Sequence, residues 1–170
     1  MNPILVVFSG LPGTGKTTLA KALVASTGWV YLRIDAIEQA ILRRGNLAEI
    51  GATGYEVANE VALGNLGLGN SVVADGVNPV AESREAWHRV ASAVEAQLID
   101  VQLVCSDAAE HRRRVETRTA DVPGLTLPDW SSVQSHEFEP WAGAPFTLDT
   151  AALCVEEALE MLMARLALGA

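Results

Sequence analysis

The segment Gly10-Leu11-Pro12-Gly13-Thr14-Gly15-Lys16-Thr17 constrains this chain more than any other. It has the spelling G-x-x-x-x-G-K-[ST]. Ahead of it stands Ile4-Leu5-Val6-Val7-Phe8, an unbroken apolar run rich in β-branched residues, which predicts a strand over 4–8 buried on both faces. Behind it, Thr17 to Val24 carries apolar residues at helical spacing and predicts a helix over about 16–26. A glycine-rich loop running from a buried strand into a helix N-terminus is suited to wrap an anion. Gly10, Gly13 and Gly15 let main-chain N–H groups close on it, and the helix end adds its free N–H groups and positive dipole.

The flanking strand and helix separate this motif from a chance glycine-rich turn and make it a Walker A phosphate loop. Its chemistry assigns roles. Lys16 supplies a cation for β- and γ-phosphates, and Thr17 offers a hydroxyl to Mg²⁺. The expected binding set for ATP and Mg²⁺ is Gly10, Gly13, Thr14, Gly15, Lys16, Thr17 and Thr18.

A chain of 170 residues has room for one domain with a sizeable core, and 49% hydrophobic residues suit a well-buried α/β protein. No apolar run approaches the ~20 residues of a membrane-spanning helix, and no basic, signal-like segment precedes the first strand. Cys105 and Cys154 stand in apolar contexts without metal-ligand spacing, so both are expected as buried free thiols in a reducing, cytoplasmic setting. The net charge is −9 and the only lysines are Lys16 and Lys21. Arg112, Arg113, Arg114 and Arg118 concentrate the positive charge, and beyond them the only base is Arg165. Such a balance argues against a polyanion-binding surface and for one small phosphorylated ligand.

Further along, Trp29–Ile34 reads as a second strand, followed by a helix over about 36–43 that stops at Gly45. A helical pattern covers about 53–68, Ser71–Ala74 is a third strand, and Glu82–Glu95 a helix. Leu98–Cys105 is a fourth strand and Ala108–Thr119 a helix. Pro123, Gly124 and Pro128 mark a loop over 120–130, before a short helix over 131–138, a strand over 146–148 and a closing helix over 152–168. Strands alternating with helices imply parallel βαβ units with right-handed crossovers.

Three sites fall where such a sheet presents ligands, at the carboxyl ends of its strands. Asp35 follows the second strand. It is either the group that takes the acceptor's proton or a helix cap paired with Glu38. Asp75 ends Val72-Val73-Ala74 in the Walker B manner and is the expected second Mg²⁺ residue. Arg114 and Arg118, four apart on a helix, would share one face as a phosphate clamp. The Pro- and Gly-bearing loop behind them predicts a lid over about 112–130 that excludes water. Arg112 and Arg113 point elsewhere and are expected to be solvated or paired with Glu110 and Glu116.

The remaining polar and aromatic residues read more plainly. Asn78 is a turn residue before Pro79 or a second group facing the cleft. Arg84 reads as a surface residue first and as one reaching the acceptor second, and Trp87 as core. Trp130, Phe138 and Trp141 dock the segment after the lid or line an acceptor pocket. His88, His111 and His136 show no metal spacing.

Taken together, the phosphate loop, Asp35, Val72-Val73-Ala74-Asp75 and Arg114-x-x-x-Arg118 resemble the P-loop small-molecule kinases. Leu32-Arg33-Ile34-Asp35, Asp75-Gly76-Val77-Asn78-Pro79 and Glu137-Phe138-Glu139-Pro140-Trp141 are similar to AAA-type ATP-binding kinases near chloramphenicol phosphotransferase and polynucleotide kinase. The resemblance implies a three-layer P-loop NTPase fold, with a five-stranded parallel sheet of order 2-3-1-4-5 and helices on both faces. It also implies Arg114 stacking on adenine, Arg118 on phosphates, and a base-contacting loop near Asp149-Thr150. Nucleotide kinases carry an arginine shortly after the Asp35 position. Here none follows until Arg43, which argues against a nucleotide acceptor.

The expected activity is transfer of the ATP γ-phosphoryl group to a hydroxyl of a small molecule, with Lys16, Asp35 and Arg118 as catalytic residues. The alternatives are a polynucleotide 5′-hydroxyl kinase, disfavoured by the scarcity of spare cations, and a non-catalytic module that changes partners with ATP. A carboxylate placed as a base is superfluous to such a switch.

Overall fold

In the computed structural model, residues 2–45, 50–143 and 145–168 are described. The elements in chain order are β1 (Ile4–Ser9), α1 (Lys16–Thr27), β2 (Val30–Arg33), α2 (Ile34–Arg43), α3 (Thr53–Gly67) and β3 (Val72–Asp75). They continue with α4 (Ala81–Ala93), β4 (Gln97–Val104), α5 (Ala108–Thr117), α6 (Trp130–Gln134), β5 (Phe146–Asp149) and α7 (Val155–Ala167). The sheet is parallel throughout, in the order β2-β3-β1-β4-β5. This is the expected P-loop NTPase topology.

Alternation along β1 builds two cores, one on each face of the sheet. Val6 and Phe8 pack with Leu19 and Leu23 of α1 and with Leu162 and Leu166 of α7. Leu5 and Val7 face the other way, onto Ala58, Ala62 and Leu66 of α3 and Trp87 of α4. Because β1 is central and buried on both sides, the loop leaving it is fixed at the middle of the sheet's carboxyl edge. The phosphate loop therefore sits between the ends of β3 and β4, which pair with β1 in register Phe8↔Asp75 and Ser9↔Gln102.

Several boundaries differ from expectation, each for a local reason. Helix α2 begins at Ile34, directly off β2, with Arg33 at its N-cap and no side-chain cap bond. Helix α5 ends at Thr117, and Arg118 already has extended backbone (φ −68, ψ 148). Helix α6 stops at Gln134 instead of reaching Phe138, because Phe138 and Trp141 dock on Arg84. Helix α7 starts at Val155, where Cys154 Sγ accepts from Glu157 N while the Glu157 carboxylate accepts from Cys154 N. That capping role exposes Cys154, and Cys105 is only partly covered, so neither cysteine is the buried thiol its neighbours suggested. Among the described residues, no helix is long and apolar enough to cross a membrane.

Candidate active site

The phosphate loop is held from three sides. Gly10 N–H donates to Val77 O at 3.1 Å, tying the loop to the turn after β3. Thr14 Oγ1 and Lys16 Nζ both donate to Leu11 O, at 2.9 Å each. On the outer side His111 Nε2 lies 2.8 Å from Pro12 O, with its ring edge-on to Trp130 at 5.2 Å. Two glycines are sterically required. A Cβ on Gly10 (φ 143) would fall on the Leu103 carbonyl oxygen, and one on Gly13 (φ 85) would stand 2.6 Å from Val115 Cγ2.

The loop forms the floor of a cavity of about 900 Å³. Lys16, Thr17, Thr18, Asp35, Asp75, Arg114 and Arg118 all border it. Of the other loop residues assigned from sequence, Gly13 and Gly15 line it too, while Gly10 and Thr14 sit behind it and shape the loop. Burial pulls the Lys16 ammonium down to a pKa of about 8, opposed by the charges of Asp75 and Asp35 and aided by those of Arg118 and Arg33. Asp75 is almost fully buried and accepts a 2.8 Å hydrogen bond from Tyr31 Oη on its Oδ2. Burial and the adjacent Asp75 charge raise the Tyr31 pKa far above its ordinary value, so the hydroxyl stays a donor.

Asp35 lies inside the first turn of α2, and its carboxylate makes no cap bond. The cap reading therefore falls. Its side chain is 37% exposed and meets Arg33 Nη2 at 3.4 Å.

The arginines divide differently from the i, i+4 clamp. Arg114 is fixed: Nε donates to Glu110, Nη1 to Thr150 Oγ1 at 2.8 Å and Nη2 to Thr150 O at 2.9 Å. Thr150 Oγ1 also lies 3.0 Å from Thr14 O, so the turn after β5, the guanidinium and the phosphate loop are joined. Arg118 has left the helix and does not share a helical face with Arg114, although both border the same cavity. Arg112 pairs with Glu116, and Arg113 with Glu110, as expected.

One group bordering the cavity carries no motif in the sequence. Arg33, at the end of β2, has a side chain 6% exposed and binds Asp121 of the α5–α6 loop through Nη1, at 2.9 and 2.8 Å. Lys21 Nζ reaches the same carboxylate at 2.8 Å. These cations hold Asp121 well below the usual carboxylate range. Arg43 Nη1 donates to Pro123 O in the same loop. A single arginine interrupting the apolar run Trp29–Ile34 was the signal available in the sequence.

The AAA domain family matches residues 5–135. The chain belongs to the AAA domain family. No curated protein matches it significantly. Solved structures share its fold. A Chloroflexus aurantiacus protein with a provisional kinase assignment superposes with TM-score 0.77 at 22% identity, covering 99% of this chain and 98% of that one. A sugar kinase from Janibacter sp. HTCC2649 gives 0.70 at 20%, over 96% of this chain and 94% of the other. The APS kinase of Mycobacterium tuberculosis, solved with AMPPNP and APS, gives 0.70 at 18%, over 97% and 98%.

In this AAA domain Asn78 takes the turn reading and Arg84 departs from expectation. Asn78 stands before Pro79 with left-handed backbone (φ 48), is fully buried and does not face the cleft. Its Nδ2 donates to Phe8 O, its Oδ1 accepts from Trp87 Nε1, and its N–H donates to Tyr55 Oη. It thereby locks the base of the phosphate loop to the turn behind Asp75. Arg84 is 5% exposed, not on the surface. It donates to the carbonyls of Asn78, Pro79, Glu139 and Pro140 between the rings of Phe138 and Trp141, 4.9 and 4.4 Å away. Those two aromatic residues brace the site from behind and, like Trp130, do not line the main cavity.

The AAA domain's donor set fits a magnesium nucleotide. The required glycines, the α1 N-terminus and Lys16 suit phosphates, while Thr17 and Asp75 offer oxygen ligands of the kind Mg²⁺ takes. Among the described residues there is no cluster of three or more His, Cys, Asp or Glu side chains able to hold a metal by themselves.

Proposed function

We propose that this protein transfers the γ-phosphoryl group of ATP to a hydroxyl of a small molecule. The observation that carries the reading is that Lys16, Thr17, Asp75 and Asp35 border one cavity together with Arg114 and Arg118. A binding switch needs the phosphate loop but has no use for a partly exposed carboxylate bordering the same cavity.

In the proposed reaction Lys16 and the loop amides hold the β- and γ-phosphates, and Arg118 offsets charge developing on the transferred group. Thr17 and Asp75 would hold Mg²⁺, which supplies electrostatic stabilisation at the phosphates when bound. Asp35 takes the acceptor's hydroxyl proton as the new O–P bond forms and the bond to the β-phosphate oxygen breaks, leaving ADP. Arg114 and Thr150 border the base. The α5–α6 loop acts as the lid, and the whole chain works as one kinase domain in the cytoplasm.

A transfer screen with γ-labelled ATP over sugars, hydroxy acids, nucleosides, antibiotics and 5′-hydroxyl oligonucleotides tests this. Label on a small hydroxylated compound is the expected result. Label on oligonucleotides alone, or on nothing while ATP alters a partner's affinity, would overturn it.

A further inference from the structure

We infer, on the kinase reading above, that Arg33 and Lys21 form a receptor for an anionic group on the acceptor, and that Asp121 occupies this receptor as an internal stand-in. The pair already clamps a carboxylate. Both Asp121 oxygens lie within 2.9 Å of Arg33 Nη1, and Lys21 Nζ is 2.8 Å from Oδ2. Burial is lopsided: the Arg33 side chain is 6% exposed and that of Asp121 45%. A guanidinium at that depth is costly unless paired, yet its partner belongs to a surface loop. Leu125 and Thr126 of that loop border the cavity. A loop that moves aside to admit an acceptor withdraws Asp121 with it.

Arg33 then keeps only Asp35, at 3.4 Å, and its Nε has no hydrogen-bond partner among the described residues. A carboxylate, phosphate or sulfate on the acceptor restores the lost pairing at Arg33 Nη1. A neutral sugar or antibiotic offers nothing in exchange. Position agrees with the acceptor end of the cleft. Arg33 is in register with Asp75 and two residues before Asp35, and Lys21 lies one helical turn beyond Thr17 on α1. The acceptor class is a small hydroxylated anion, such as a hydroxy acid or a sugar phosphate.

Sulfate titration with the phosphate loop saturated by Mg·AMPPNP tests this by calorimetry, with hydrogen exchange over 119–127 as a second readout. Wild type should bind sulfate weakly. Asp121→Asn, which keeps the shape but removes the competing charge, should bind about ten-fold tighter or more. Adding Lys21→Gln, at a side chain 53% exposed and harmless to the fold, should reverse much of that gain, and adding Arg33→Gln should abolish it. Equal affinities for wild type and Asp121→Asn, or no effect of Lys21→Gln on the Asp121→Asn protein, would overturn the inference. Sulfate that binds beside Mg·ADP but is excluded by Mg·AMPPNP would also overturn it, by making this the seat of the γ-phosphate. Sulfate binding requires no turnover. Binding as expected with no acceptor ever labelled would sink the kinase reading alone. Labelled neutral acceptors with no sulfate response would sink this inference alone.

Discussion

Tyr31 and Asp75 stand on neighbouring strands, and the tyrosine hydroxyl donates to Asp75 Oδ2 at 2.8 Å. One carboxylate oxygen of this cavity-bordering residue is thereby committed and oriented by the sheet itself, while Oδ1 is left outside that bond. Tyr31→Phe removes that partner from a nearly buried acceptor. A stability loss of about 1–2 kcal/mol is expected in urea unfolding, with a higher Mg²⁺ requirement for nucleotide binding. Unchanged metal dependence would mean Asp75 acts without this support.

Lys16 should give nucleotide binding a proton signature. Burial lowers its pKa to about 8, and bound phosphates favour the ammonium. Binding at pH 8.5–9 should therefore take up close to one proton, seen by calorimetry in buffers of different ionisation enthalpy, with affinity falling as pH rises through 8. Lys16→Met should abolish the uptake and remove several kcal/mol of transition-state stabilisation. Stability follows the same linkage. Unfolded, this lysine titrates at its ordinary 10.5. The unfolded chain then binds the extra proton between about 8 and 10.5, and the unliganded protein gains stability over that window relative to Lys16→Met.

Asp35→Asn should lower transfer by ~10²–10⁴-fold while nucleotide affinity stays intact. Because Asp35 caps nothing and its contact with Arg33 is partly exposed, the unfolding free energy should move by less than about 1 kcal/mol. A large stability loss with modest kinetic change would contradict the proposed role.

Arg84→Met removes the side-chain donor from four carbonyls, of which Pro79 O keeps the Glu139 N–H, and takes the guanidinium off the rings of Phe138 and Trp141. The expected cost is about 3 kcal/mol or more by chemical denaturation. A surface-like loss of a few tenths would refute the bracing role.

The α5–α6 loop is expected to become protected from hydrogen exchange over 118–129 when Mg·AMPPNP binds. No change there would remove the lid while leaving the phosphate loop untouched.

What the sequence determined by itself is local or periodic. The phosphate loop was legible because its spelling, the strand before it and the helix after it are contiguous. The strand–helix alternation limited the fold to a parallel sheet, and the family resemblance supplied its order. Trp87 was placed in the core by its apolar helical face. Relationships between segments far apart in sequence were left to the tertiary structure. Asp35 fits a cap as well as a base until α2 is seen to start directly off β2. Arg114 and Arg118 read as one helical face until α5 ends between them. Arg84 looks like a surface residue, since nothing nearby announces the Phe138–Trp141 segment that buries it, and the turn residue Asn78 gives no sign of the Phe8 carbonyl that its side chain engages. Arg33 and Asp121 are separated by 88 residues, and neither carries a motif. Only a folded chain brings such charges within hydrogen-bond distance, because their pairing is paid for by packing that no local pattern encodes.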